Sequence, residues 1–522
     1  MAKDESTFCL SPLLCTVHHI PKIFKNMSSQ IMNLAPAGVW KHFYALTQIP
    51  RPSGQMTEIT GFIENFGKSL GLETKRDKGG NVLICKPATS GLEKLQTVIL
   101  QSHLDMVPQA NSSSTFDFSK DPIDAYVDGD WVKARGTTLG ADNGIGIAAM
   151  MAVLEDKTLK HGPIEALFTY DEETGMYGAV DIRPGFISGT VMLNLDSESE
   201  GELCIGCAGG ADLNISFQYK DDLNIPEGDI AVKISLTGLK GGHSGLDIHL
   251  QRANANKLMF RFLKEAVQDY GARLASIDGG SLRNAIPREA FAIVTIPGID
   301  DCEGFFELVS DYQDLFKEEY QGIEDCVSFM AEQVELPGIL IPEEIQDDLI
   351  NAIEGCQNGV IGFLADFPDT VETSTNLAIV KSKEGRIDIQ ILVRSSSETK
   401  KEAVCSSLES VFALAGAKVE FGNAYPGWDP NINSPILSVM KSVYQHKYGT
   451  EPAVKVMHAG LECGIILSNV PGLDIVSFGP TIKHPHSPDE KVEIASVQKF
   501  RDYLAATLEQ IPKHISVGTI EG

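Results

Sequence analysis

The chain has 522 residues, 43% of them apolar, with 48 Gly and 25 Pro. This is ordinary globular composition but too long for one hydrophobic core, so at least two domains are expected. Lys and Arg number 43 against 71 Asp and Glu, a formal charge of -28, which argues against nucleic acid and anionic membrane as partners.

No apolar run reaches the ~18 residues of a membrane span. Ten cysteines are scattered along the chain. Cys204-Ile-Gly-Cys207 has CxxC spacing, but no second pair accompanies it, so a zinc ribbon is not expected. Nothing suggests a secreted disulfide framework.

Residues 1–33 are mildly apolar from Phe8 to Val17. Asp4 and Glu5 stand where a signal peptide carries basic charge, and there is no Arg as in a transit peptide. The stretch is expected to be an N-terminal extension outside the core fold, with Met27 or Met32 equally suited as a start. Val39 to Phe66 reads as two helices broken at Ile49-Pro-Arg-Pro-Ser-Gly54, and Leu72 to Cys85 as a hairpin turning at Lys78-Gly-Gly-Asn81.

Three short apolar runs follow. Thr97-Val-Ile-Leu-Gln-Ser-His103 leads to Asp105. Ile164-Glu-Ala-Leu-Phe-Thr-Tyr170 leads to Asp171-Glu172-Glu173, and Val191-Met-Leu-Asn-Leu-Asp196 ends in an acid. Separated by a helical pattern from about Asn143 to Leu154, they read as buried parallel strands. Ligands of an open parallel sheet sit beyond the strands' carboxyl ends, where His103, Asp105, Glu172, Glu173 and Asp196 all fall.

From Ala211 the pattern changes to alternating strands, long helices and hairpin turns such as Lys383-Glu-Gly385, which suggests an α+β insertion with an antiparallel sheet over residues 211–408. The remainder returns to the first pattern. The fold expected is α/β: a mostly parallel catalytic sheet over 34–210 and 409–522, with the insertion between. A polar loop, Gly479-Pro-Thr-Ile-Lys-His484-Pro-His486-Ser-Pro-Asp-Glu490, follows a late strand and again falls at the carboxyl edge.

His103, Asp142, Glu173, Asp196 and His486 are imidazoles and carboxylates without a thiolate. Such donors suit zinc, with cobalt or manganese as substitutes. Two metals need one bridging carboxylate and further ligands for each; Asp142 can bridge and the other four can fill the two ions. An Asp opening a helix is otherwise an N-cap. Asp105, two residues past His103 on an extended segment, can orient the imidazole or be a solvated strand-end acid. Of Glu172 and Glu173, one can bind metal and the other accept a proton from water; Asp-Glu-Glu is otherwise a solvated turn. His243, in Gly241-Gly-His-Ser-Gly245, is a structural or exposed imidazole unless it stabilises an oxyanion.

The motifs Ser102-His-Leu-Asp-Met106, Gly140-Ala-Asp-Asn-Gly144, Glu172-Glu173, Asn194-Leu-Asp-Ser197, Gly241-Gly-His-Ser-Gly245 and His486-Ser-Pro-Asp-Glu490 resemble the metallopeptidase superfamily of aminoacylases and dipeptidases. Val132 to Gly146, Leu282 to Phe291, Ala424 to Trp428 and His458 to Gly464 are similar to the aminoacyl-histidine dipeptidases, the peptidase D or Xaa-His dipeptidase family. The resemblance covers about residues 34–512.

It implies a cytoplasmic, homodimeric two-metal dipeptidase that cleaves Xaa-His dipeptides such as β-alanyl-histidine, with the insertion as a lid and dimerisation domain. It further implies His103, Asp142, Glu173, Asp196 and His486 as ligands, with Asp142 bridging and followed by a cis peptide. Asp105 would orient His103, and Glu172 would be the general base. His243 would stabilise the oxyanion across a dimer, and Asn284 and Arg394 would anchor the substrate carboxylate. His484 stands where a small residue is expected, so a ligand swap with His486 is conceivable, and Asp171 adds an acid that could raise the base's pKa. An N-acyl-amino-acid hydrolase or carboxypeptidase is the related alternative; a non-catalytic binding protein is the alternative of another class.

Overall fold

The computed structural model describes residues 30–112, 114–298 and 302–511. Most of the N-terminal extension, with Cys9 and Cys15, lies outside the described residues.

The first sheet has eight strands. In order across it they are Glu73–Arg76, Val82–Lys86, Ile164–Thr169, Val98–His103, Val191–Asn194, Asp474–Ser477, Glu202–Cys207 and Ala453–Met457. The three runs picked out in the sequence are parallel neighbours at its centre, and Asp474–Ser477 joins them in parallel. They are buried along their whole length, which is why they lack polar alternation. The pairings of Val82–Lys86 with Glu73–Arg76 and with Ile164–Thr169 are antiparallel. The helix Ala141–Glu155 is apolar on all sides and correspondingly buried, packed among Trp40, Phe43 and the sheet.

The second sheet is antiparallel. Its strands run Ser328–Val334, Ile230–Thr237, Ala290–Ile296, Arg273–Gly279, Val371–Lys383, Arg386–Ser395, Gly209–Gln218 and Lys418–Tyr425, with Gly359–Phe363 beside Val371–Lys383. It thus draws on residues 209 to 425. The amphipathic helix Ala255–Tyr270 covers it with Met259, Phe260, Phe262 and Leu263, and Phe262 meets Phe305, Tyr312 and Phe329 edge to face.

The chain crosses between the sheets at Ala208 and again near Pro426, and the two crossings are tied to each other. The amides of Cys207 and Trp428 donate to one another's carbonyls at 3.0 and 2.9 Å. Gly209 allows this approach, because a Cβ there would lie 2.5 Å from the Gly427 nitrogen and 2.6 Å from the Tyr425 carbonyl oxygen. Both neighbours are backbone and cannot swing away. Gly209→Ala is therefore expected to lower stability by about 1–3 kcal/mol, as overpacking does, read as a lower denaturant midpoint with an unchanged denaturant slope.

Candidate metal centre

Five segments converge beyond the carboxyl ends of the parallel strands. His103 closes its strand. Asp105 follows two residues later, Glu172 and Glu173 follow Ile164–Thr169, Asp196 follows Val191–Asn194, and His486 lies in the loop after Asp474–Ser477. Asp142 comes from the start of Ala141–Glu155, and its own φ/ψ are not helical. Gly140, not Asp142, holds the N-cap position, and the Asp142 side chain faces two imidazoles. His103 Nε2 is 3.0 Å from Asp142 Oδ1, and His486 Nε2 is 3.2 Å from Oδ2. Asp196 Oδ1 lies 3.2 Å from the first imidazole and Glu173 Oε1 3.1 Å from the second. Each imidazole thus shares Asp142 and has a carboxylate of its own, the topology of a two-ion site with one bridging ligand. The Asp142–Asn143 peptide is cis.

Asp105 locks this geometry from below. Its Oδ1 lies 3.3 Å from His103 Nδ1 and accepts the Glu172 amide at 3.0 Å. Its Oδ2 accepts the Glu173 amide at 3.1 Å and the Ser53 hydroxyl at 2.8 Å. Burial raises the Asp105 pKa, but His103 and these donors outweigh it and hold the carboxyl at about 2.

Two further supports carry no local sequence signal. The Glu490 carboxylate accepts the amides of Leu139, Gly140, Ala141 and Asp142 at 2.7 to 3.2 Å, satisfying N–H groups that have no partner within the Asp142 helix at its start. Buried Arg51 donates to the carbonyls of Leu104, Asp105 and Gly140, joining the His103 segment to the same turn.

Among the described residues His484 belongs to none of the clusters able to hold a metal. It lines a separate pocket with Asn111, Tyr126 and Lys491. Asp171, the third acid of the Asp-Glu-Glu turn, is engaged elsewhere. Its Oδ1 accepts the Gly54 amide at 2.9 Å, and the carboxylates bearing most on Glu172 are Glu173, Asp196 and Glu462. Glu462 was not anticipated as a site residue.

The cluster opens into a cavity of about 660 Å³, walled on one side by Glu198, Cys204 and His458 to Leu461 and on the other by His243, Leu246, His249 and Val371 from the second sheet's region. His243 reaches it within a single chain. Its Nδ1 accepts the amides of Gly245 and Leu246 at 3.1 and 2.9 Å, which leaves the proton on Nε2. Burial and the Arg394 charge lower its pKa to about 4, so the ring is a neutral donor. Arg394 is buried behind the wall, donating to the Tyr425 hydroxyl at 3.1 Å and lying 3.5 Å from the Ser244 hydroxyl. Asn284 is exposed, and its backbone carbonyl accepts the Ser244 amide at 2.8 Å. Cys204 and Cys207 are buried free thiols, pushed by burial up to about 11 and about 12, unlike zinc thiolates.

The charge balance tests whether divalent ions fit. Burial and mutual repulsion raise Glu172 well above the carboxylate range, raise Glu173 and Asp196, and push Glu198 and Glu462 up to about 8. His103 and His486 are too few cations for this set of acids, and two divalent ions would supply the missing charge. The donors and the charge both fit.

A family model described as Peptidase family M20/M25/M40 matches residues 99–510. The chain belongs to this family. It is 42% identical over 484 residues to the cytosol non-specific dipeptidase of Escherichia coli strain K12, a match covering 93% of this chain and 99% of the relative. The crystal structure of aminoacylhistidine dipeptidase from Vibrio alginolyticus superposes with a TM-score of 0.86 at 46% identity, covering 93% of this M20 chain and 99% of that one. Aminopeptidase PepT from Bacillus cereus, at 17% identity and a TM-score of 0.54 over 92% of this chain and 99% of that one, shares the fold. Membership makes the chain a peptide hydrolase and implies two divalent ions. Among the described residues no helix is long and apolar enough to cross a membrane.

Two outcomes follow from the charge balance. Unfolded carboxyls release protons near pH 4.5, whereas Glu198 and Glu462 in the metal-free fold hold theirs to about 8. Between those values the folded state binds more protons, so stability falls as pH rises. The melting temperature of chelated protein is expected to drop from pH 5 to pH 8, and restored Zn²⁺ to raise it most at the upper end. Asp105→Asn should weaken Zn²⁺ binding by about 10–100-fold, the usual effect of losing a partner of a ligating His, measured by competition with a chromogenic chelator.

Proposed function

We propose that the protein is a two-metal dipeptidase that hydrolyses Xaa-His dipeptides, β-alanyl-histidine among them. The observation that carries this reading is Asp142 set between His103 and His486 with Glu172 beside it in the same cavity. Its strongest support from relatives is the near full-length similarity to the two dipeptidases above. His103, Asp142 and Asp196 would hold one ion, and Asp142, Glu173 and His486 the other. Zinc is the metal that suits these nitrogen and oxygen donors. When bound, the ions supply Lewis acidity and lower the pKa of water.

The protein's own groups do the rest. Glu172 accepts the proton of the attacking water and returns it to the leaving amine. A raised proton affinity suits that exchange. His243, with Nδ1 tied to two amides, turns Nε2–H toward the carbonyl oxygen as charge develops there. Arg394 and Asn284, the expected anchors of the substrate carboxylate, do not line this cavity in the single chain, and Asp105 keeps His103 and the Glu172-Glu173 turn in place. The insertion closes over the substrate as a lid and pairs two chains in a homodimer, which limits substrates to short peptides. A cytoplasmic location accords with the cytosolic E. coli relative.

Purified protein should release histidine from β-alanyl-histidine, lose this on chelation and regain it with Zn²⁺ or Mn²⁺. Glu172→Gln should retain metal yet lose about 10²–10⁴-fold in kcat, the range for a positioned general base. Cleavage of N-acetyl amino acids in preference to dipeptides would move the assignment to an N-acyl-amino-acid hydrolase. Bound metal with no turnover of any short peptide would leave a binding protein.

A further inference from the structure

Beneath the metal centre lies a carboxylate that the hydrolytic steps do not use. Glu462 is 1% exposed and begins the helix Glu462–Asn469. Its Oε2 accepts two hydrogen bonds at 2.6 Å, from Gln101 Nε2 and from the Thr169 hydroxyl. Gln101 stands two residues before His103, and Thr169 three before Glu172. Gln101 Oε1 in turn accepts Asn194 Nδ2 at 2.5 Å, and Asn194 stands two residues before Asp196. All three partners are fully buried. One carboxylate therefore ties the ends of the three parallel strands that deliver His103, the Glu172-Glu173 pair and Asp196.

The same residue roots the cavity wall, because His458, Ala459, Gly460 and Leu461 line the cavity immediately before it. Its second oxygen, Oε1, is buried and has no hydrogen-bond partner among the described residues. A protonated carboxyl would place an O–H donor there with nothing to receive it. A carboxylate would leave a buried negative charge that needs a cation nearby. The positive group acting most strongly on it is His103, itself a proposed ligand.

We infer that Glu462 is a positioning residue for the metal centre: it fixes the spacing of three ligand-bearing strand ends against the substrate wall and places a negative charge beneath the two ions. The inference rests on the two-ion reading above. Glu462→Gln separates the two contributions. Its amide oxygen still accepts from Gln101 and Thr169, so the tie between strands is kept, while the charge is lost and an NH₂ donor without an acceptor takes the unpartnered side. Glu462→Ala removes the network as well.

The experiment measures Zn²⁺ affinity by chelator competition on full-length wild type and both variants, with the unfolding midpoint and the kcat and KM for β-alanyl-histidine recorded beside it. Glu462→Gln is expected to fold with a somewhat lower unfolding midpoint, because its buried NH₂ lacks an acceptor, and to bind Zn²⁺ about 10-fold more weakly, and Glu462→Ala to lie toward 100-fold, the range for residues that orient metal ligands. Folded Glu462→Gln with wild-type Zn²⁺ affinity and kcat overturns the inference, whatever the alanine variant does to stability. If Glu462→Ala does not fold, Glu462→Gln alone decides. A wild type that binds no Zn²⁺ would instead sink the two-ion reading, an outcome distinct from failure of the Glu462 variants alone.

Discussion

The gathering of carboxylates in one partly buried place is the constraint on which the rest of this structure depends. Asp142, Glu172, Glu173, Asp196, Glu198 and Glu462 face one another with two imidazoles among them. Anions brought this close repel, and burial makes the repulsion worse. Such an arrangement is relieved by protons on the acids or by positive charge at its centre, and the chain belongs to a family of peptide hydrolases. The surrounding structure serves to hold acids where they would not stay unaided. Asp105 grips the His103 ring and two amides of the acidic turn, Glu490 satisfies four amides at the Asp142 helix, and Arg51 joins those two segments.

Much of this was legible in the sequence because the chemistry follows strand ends. A buried parallel strand is a short apolar run, and a polar residue just past it is conspicuous. His103, Glu172, Glu173 and Asp196 stand out for that reason, and the three runs are neighbours at the centre of the first sheet. Asp142 was ambiguous between helix cap and ligand; its non-helical backbone, invisible to periodicity, turns the carboxylate away from the helix. His484 and His486 are two residues apart, with the sequence context favouring His486; the loop's path sets His484 against a different pocket and His486 beside Asp142.

What escaped the sequence acts over long separations. Glu490 reaches residues about 350 positions earlier, and Glu462 reaches Gln101 across 361. Nothing in the spacing of either announces a partner, because a carboxylate that accepts backbone amides or buried side chains demands no complementary motif. Asp171 shows the limit of adjacency: it is next to Glu172 in sequence, but a left-handed backbone there carries its side chain to the Gly54 amide. The antiparallel edge of the first sheet and the tie between Cys207 and Trp428 depend on packing that local pattern does not encode.

The order of the converging segments along the chain bears on when hydrolytic power can arise. His486 and Glu490 come from the last strands and loops of the first sheet, after the whole of the second sheet has been threaded through. A polypeptide emerging from the ribosome therefore presents an acidic half-centre without its second imidazole, and without the clamp on the Asp142 turn, until nearly all of it has been made. A fragment that stops short of these residues would carry most of the recognisable motifs and no complete site. Assembly of the centre is thus tied to completion of the fold.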